Sequence, residues 1–245
     1  MTTKGFVRRD GRRADALRPM SIEPGYLKFA TGSALVRAGD TVLVCSAMVE
    51  ESVPDFLNGR DSGWVTAEYA MLPASTPDRK ERKPDGRSQE IRRLIGRALR
   101  GAVDLKKLGK RTIWLDCDVL QADGGTRTLA VTGAWTALAL AVRRLREKGL
   151  VQTDPIVRQV SAVSAGIVEG RYLLDLCYVE DSRAEVDMNV VMTDQGDFIE
   201  VQGTAEGKPF DEKQLHELLA LAGKGCRKIM PVQKSALRRA AGAGR

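Results

Sequence analysis

Asp116-Cys117-Asp118-Val119-Leu120-Gln121-Ala122-Asp123-Gly124-Gly125-Thr126-Arg127-Thr128 joins three local signals in one order: strand, glycine turn, helix. The β-branched and apolar run Thr112–Leu120 predicts a strand. Gln121–Arg127, with paired glycines, predicts a tight loop, and from about Thr128 to Arg146 a mostly apolar helix follows. Leu129–Val142 is broken by Thr132, Gly133 and Thr136 and is too short to span a bilayer, so it reads as a buried helix.

Upstream, residues 21–69 alternate as strands, with turn signals at Pro24-Gly25, Gly32 and Ala38-Gly39-Asp40, and predict a β-meander. Ala74–Gly86 is polar, holds Pro77 and Pro84, lacks periodicity and reads as an exposed loop. Ser88 is an expected N-cap for a helix whose buried stripe is Ile91, Leu94, Ile95, Ala98 and Leu99. Downstream, Val157–Thr204 holds four further strand-like runs, and a closing amphipathic helix aligns Leu215, Leu218, Leu219 and Ala222. The pattern is α+β with no linker, and predicts a single domain over 1–235 followed by a disordered basic tail, 236–245.

Composition excludes more than it assigns. A hydrophobic fraction of 43% and a charged fraction of 29% are those of an ordinary globular protein, neither disordered nor membrane-spanning. No export signal stands behind Met1-Thr2-Thr3-Lys4-Gly5, and a cytoplasmic location is expected by default. Cys45, Cys117, Cys177 and Cys226 are far apart and form no C-x-x-C, so reduced thiols are expected instead of a zinc site or disulfides. The +7 net charge is segregated. Residues 1–18 carry six basic and two acidic side chains, residues 79–100 nine and three, and residues 224–245 seven and none, while the remainder is net acidic. Such segregation suits a protein that grips a polyanion at defined surfaces, and solvated faces are the plainer alternative.

Three constellations could carry chemistry. Asp123–Thr128 places glycines, a threonine and an arginine at a helix start, where unpaired N–H groups and the helix dipole favour phosphate; it has neither Walker nor G-x-G-x-x-G spacing. A capped Gly-Gly turn is the structural alternative. Asp85-Gly86-Arg87-Ser88 sets a second arginine at another helix start. Glu180-Asp181-Ser182-Arg183-Ala184-Glu185-Val186-Asp187 lies between the apolar runs Tyr172–Val179 and Val190–Met192. If these pair as a hairpin, carboxylates come together in a way that suits Mg²⁺ or a general acid, or simply a charged turn. His216, the only histidine, falls on the polar side of the last helix, which makes histidine acid–base chemistry improbable.

Together these blocks resemble the ribonuclease PH family, over about Arg8 to Met230. The resemblance rests on Arg9-Asp10-Gly11-Arg12 with Leu17-Arg18-Pro19, on Ala67–Pro73, on Gly86–Ile91 with Arg93–Arg97, and on Asp116–Thr128. It continues through Glu180-Asp181-Ser182, Val186–Asn189 and Gly203–Gly207. It implies an α+β fold related to the second domain of ribosomal protein S5, and a homohexamer built as a trimer of dimers. It implies 3′-to-5′ exoribonuclease action on tRNA precursors and other RNA 3′ ends, with inorganic phosphate as co-substrate, nucleoside diphosphates as products and reverse nucleotidyl transfer as a corollary. It implies phosphate held by Arg87, Gly125, Thr126 and Arg127, with Asp181 and Asp187 binding Mg²⁺ or another divalent cation, or protonating the departing oxygen. RNA would be gripped by Arg79, Lys80, Arg82, Lys83, Arg93 and Arg97. Ala74 stands where the family often has an arginine, in a loop that looks short. The alternatives are a non-catalytic RNA-binding ring subunit, from which eroded site residues would be expected, and a small-molecule phosphotransferase, which would leave the basic stretches unexplained.

Overall fold

The computed structural model describes residues 8–83 and 85–242; expectations that fall on residues 1–7, Pro84 and 243–245 lie outside them. Strands β1 (Met20–Pro24), β2 (Gly32–Ala38) and β3 (Thr41–Glu50) form the expected antiparallel meander. The fourth, β4 (Trp64–Met71), does not continue it. After β4 the chain goes on to α1 (Gly86–Arg100) and the short α2 (Leu105–Leu108) before returning as β5 (Thr112–Gln121). That strand inserts between β3 and β4, parallel to β4, giving the order β1-β2-β3-β5-β4. A parallel neighbour needs a crossover of this length, and α1 supplies it.

A second sheet has the order β7-β6-β8-β9, from β6 (Val160–Val168), β7 (Arg171–Leu174), β8 (Val186–Thr193) and β9 (Phe198–Ala205). The 172–179 run and the following strand, which could have paired as a hairpin, do not pair. The middle strand β6 separates β7 from β8, and the intervening residues form a short helix, α4 (Tyr178–Asp181).

Helix α3 (Thr126–Glu147) lies between the sheets and is buried along nearly its whole length, which is why its sequence is apolar all round. Its interruptions are packing devices. A Cβ on Gly133 would come within 2.6 Å of Cys45 Sγ and 2.7 Å of Val36, so glycine lets helix and sheet approach. Thr132 accepts from the Ala162 N–H at 3.2 Å and ties α3 to β6. The long α5 (Glu212–Gly242) packs Leu218, Ala222, Cys226 and Ile229 on the other face of the second sheet. The expected tail beyond 235 is corrected as far as Gly242: α5 continues, Ala236 is fully buried, and Arg239 donates to the Ile22 carbonyl at 2.6 Å. Among the described residues no helix is long and apolar enough to cross a membrane, and all four cysteines are free thiols.

Candidate active site

The period-two pleat of β8 builds one wall. Met188, Val190 and Met192 face α5, while Asp187, Asn189 and Val191 alternate onto the face that meets α3 and α1. On β9, Gln202 pairs with Asn189 and Glu200 with Val191, which aims both under α1. Arg127, in the first turn of α3, donates to Gln202 Oε1 and stands 3.5 Å from Glu90 of α1. Gln202 donates in turn to Glu90 at 2.6 Å.

The glycine turn closes the adjacent wall. Gly124 and Gly125 both adopt left-handed backbone, with φ of +73° and +64°. A Cβ on Gly124 would fall 2.7 Å from the backbone of Leu176, Cys177 and Tyr178, so only glycine permits this approach of the loop to α4. Asp123 Oδ1 accepts from the Tyr178 N–H at 3.1 Å and fixes the junction. Helix α3 begins at Thr126, two residues earlier than its apolar run suggests, and no side chain caps it. Its first N–H groups thus keep the partial positive charge that attracts an anion. Helix α1 differs. It begins at Gly86 and not at Ser88, because the Asp85 carboxylate caps it by accepting from the Ser88 N–H at 2.7 Å. Its start is already occupied by a carboxylate and offers the site the exposed guanidinium of Arg87 instead.

Electrostatics shows what converges. Burial raises the carboxyl of Asp181, at the end of α4, above its ordinary value, and Arg87, Arg127 and Arg18 pull it back. Asp187 is pushed up to about 6 by burial and by the charge of Asp181, against Arg127, the hydrogen bond from Asn189 and Arg87. The phenol of Tyr69 is raised by burial and lowered by its 2.9 Å bond to the Thr126 hydroxyl and by both arginines. Arg87 and Arg127, forty residues apart in sequence, therefore act on the same three groups. Asp187 Oδ1 is buried without a hydrogen-bond partner, while its Oδ2 accepts from Asn189 at 3.2 Å. An orphaned carboxylate oxygen beside a second carboxylate fits a hard cation. Among the described residues no group of three or more Asp, Glu, His or Cys could hold a metal ion, so this pair could hold Mg²⁺ only together with other oxygens, such as those of phosphate.

Of the expected site residues, Arg87, Gly125, Thr126, Arg127, Asp181 and Asp187 lie around one region of this structure. Arg79, Lys80, Arg82, Lys83 and Arg93 are exposed, whereas Arg97 is held by Glu200 at 2.8 Å. The basic N-terminal stretch is only in part the free surface its charge suggested: Arg8 and Arg18 are buried in ion pairs and Arg12 is half-buried. Tyr69, Asn189 and Gln202 were missed as site residues. Tyr69 and Asn189 lie within blocks that carry the resemblance, but nothing local marked Gln202.

The arrangement defines a class, and residues 16–143 match the 3′ exoribonuclease family, domain 1, and residues 158–225 its domain 2. The chain is 54% identical to a ribonuclease PH of Syntrophomonas wolfei subsp. wolfei over 94% of this chain and 98% of that protein. It is 53% identical to one of Corynebacterium efficiens over 96% and 98%. An Archaeoglobus fulgidus exosome structure with RNA bound to the active site is similar at a TM-score of 0.80 and 27% identity, over 91% of each chain. The chain belongs to the ribonuclease PH family, the phosphorolytic 3′-to-5′ exoribonucleases that process tRNA.

Proposed function

We propose that this chain trims the 3′ ends of tRNA precursors, in the cytoplasm and as a homohexameric trimer of dimers, through the site just described. The observation that carries the residue assignment is the close packing of the glycine turn on α4, where Asp123 accepts from the Tyr178 N–H at 3.1 Å, with Arg127 standing 3.5 Å from Glu90 of α1. Inorganic phosphate is held by the Arg87 and Arg127 guanidiniums, by the backbone at Gly125 and by the Thr126 N–H and hydroxyl, with Tyr69 donating to that hydroxyl so that its own proton points away. A phosphate oxygen forms a bond to the terminal phosphorus, the bond from that phosphorus to the 3′ oxygen of the preceding nucleotide breaks, and a nucleoside diphosphate leaves. The departing 3′ oxygen takes a proton from Asp187, whose carboxyl, pushed up to about 6, is the better proton carrier of the two. Asp181, together with Asp187 in its ionised form, would hold Mg²⁺, and the ion would offset charge on the phosphoryl oxygens. Nucleophile, scissile phosphate and leaving oxygen are all anionic, so fixed positive charge at the helix starts is what the reaction needs. Arg79, Lys80, Arg82, Lys83, Arg93 and Arg97 guide the RNA backbone to the site.

The test is incubation of the protein with a 3′-extended tRNA and Mg²⁺, with and without inorganic phosphate. Shortening that requires phosphate and yields nucleoside diphosphates is expected. Monophosphates released without phosphate would mean hydrolysis, and binding without shortening a non-catalytic subunit; either would overturn the reading.

A further inference from the structure

Arg8 and Arg18 are the buried arginines among the described residues, and both reach across the chain to the two halves of the active site. Arg8 donates to Glu180 through Nε at 2.7 Å and Nη2 at 2.5 Å, to the Leu174 carbonyl at 2.8 Å and to the Asp175 carbonyl at 3.0 Å. It clasps the turn into α4 from both ends, and Glu180 immediately precedes Asp181. Arg18 holds Asp175 by a paired contact, Nη2 to Oδ1 at 2.7 Å and Nε to Oδ2 at 3.1 Å, while its backbone N–H donates to Oδ2 at 2.7 Å. Its other nitrogen, Nη1, donates to the Asp123 carbonyl, and Nη2 lies where it would meet a Cβ on Gly125. Thr41 completes this side: its hydroxyl donates to the Gly124 carbonyl at 2.8 Å and accepts from the Asp123 N–H at 3.0 Å.

The geometry points to the segment from Arg8 to Arg18 as a strap that sets the spacing between phosphate loop and carboxylate turn, with Arg8, Arg18, Asp175 and Glu180 as positioning residues for the reaction. This rests on the active-site reading proposed above. The contacts form a closed circuit: Glu180 to Arg8, Arg8 to the Asp175 backbone, Asp175 to Arg18, Arg18 to Asp123, and Asp123 back to Tyr178 at the start of α4. Asp175 is held at φ +56°, a left-handed backbone that a non-glycine residue keeps only where its surroundings fix it. Buried ion pairs add little net stability over apolar residues of the same shape, because desolvation offsets their attraction. What they supply is fixed geometry. A site that must hold an anion near two carboxylates, neither relaxing toward the other, has a use for it.

The strap predicts a division of kinetic effects that a merely structural role would not produce. The measurement is diphosphate release from a 3′-extended tRNA at varied phosphate, well below each variant's Tm, with RNA affinity measured separately by fluorescence anisotropy. Arg18→Lys and Thr41→Val, which loosen the phosphate loop, are expected to raise KM for phosphate about tenfold with RNA Kd unchanged; Thr41→Ser, keeping the hydroxyl, restores it. Glu180→Gln, which loosens the α4 turn, is expected to lower kcat about tenfold at saturating phosphate with little change in KM. If Arg18→Lys does not fold, the Thr41 pair decides. Rates that fall only with the folded fraction, or together with RNA affinity, overturn the strap. A wild type that releases no diphosphate overturns the active-site reading and the strap with it; an active wild type with kinetically silent variants overturns the strap alone.

Discussion

The stretch from Arg8 to Arg18 and the stretch from Arg79 to Arg97 are both dense in arginine, yet they use the guanidinium in opposite ways. In the first, Arg8 and Arg18 are stripped of water and matched to Glu180 and Asp175. In the second, Arg79, Arg82, Arg87 and Arg93 stand in solvent. A buried guanidinium with its partner in place is a fixed strut, whereas an exposed one keeps its charge available to a ligand. Charge counted along a sequence therefore measures how much positive charge there is, not how much of it is free.

Replacing a half-buried arginine proposed to bind a ligand and a buried strut, one at a time, is the sharpest way to break this contrast. Arg127→Ala removes the guanidinium proposed to bind phosphate, which here pairs with Gln202 and Glu90, and is expected to lower kcat/KM by about a thousandfold, while stability and RNA affinity stay close to wild type. Arg8→Met strips the buried Glu180 of its paired contact, leaving only Arg12 at 3.8 Å, and is expected to cost about 3 kcal/mol of stability. Denaturant unfolding at matched protomer concentration, beside phosphorolysis rates, separates them. Equal loss of RNA binding and turnover in Arg127→Ala would show that it grips RNA and not phosphate.

A smaller effect concerns the carboxylates these arginines face. Asp187 is raised from the ordinary 3.8 to about 6, so the fold favours its neutral form. Below pH 3.8 both folded and unfolded chains are protonated there and the group costs nothing. The penalty grows as pH rises through that window and is complete above about 6. Asp187→Asn is thus expected to stabilise the protein above pH 6, on the order of 2 kcal/mol, with the gain fading toward pH 4 and with activity lost. Unfolding in EDTA at pH 4 and pH 8 checks it, and a gain independent of pH would mean that desolvation of Asp187 is not its source.

How much of this was legible follows the same division between local and distant. The helix stripes, the glycine turn and the meander could be read because each is set by neighbours within a few residues, as Ile91, Leu94 and Ile95 show. So could the candidate site residues as clusters, with Gly125, Thr126 and Arg127 together and Asp181 near Asp187, but the roles proposed for them came from the family resemblance. The insertion of β5 beside β4 and of β6 between β7 and β8 could not, because strand order depends on crossovers that leave no local mark. Nor could the fate of Arg8, whose partner lies 172 residues away. The α1 cap was misplaced because Asp85 and Ser88 are both good caps, and only the backbone decides which accepts. The tail's helicity was hidden because Ala and Gly near Arg238 suggest disorder until Ala236 finds the core.

Arg97 stands between the two kinds of arginine and tests whether they form a continuum. Its side chain is 54% exposed and pairs with Glu200, itself only 19% exposed on β9. An exposed pair of this sort is worth about 0–1 kcal/mol, so Arg97→Met is expected to leave stability almost unchanged. RNA that uses Arg97 must compete with Glu200 for it. Glu200→Gln, which keeps the shape and removes the competing charge, should therefore tighten RNA binding about two- to threefold at low salt, and the gain should shrink as salt rises. Anisotropy titrations of a tRNA at several salt concentrations supply the comparison. Tightening that persists in Glu200→Gln/Arg97→Met would place the effect in the general loss of a negative charge, and Arg97 would then belong with the struts.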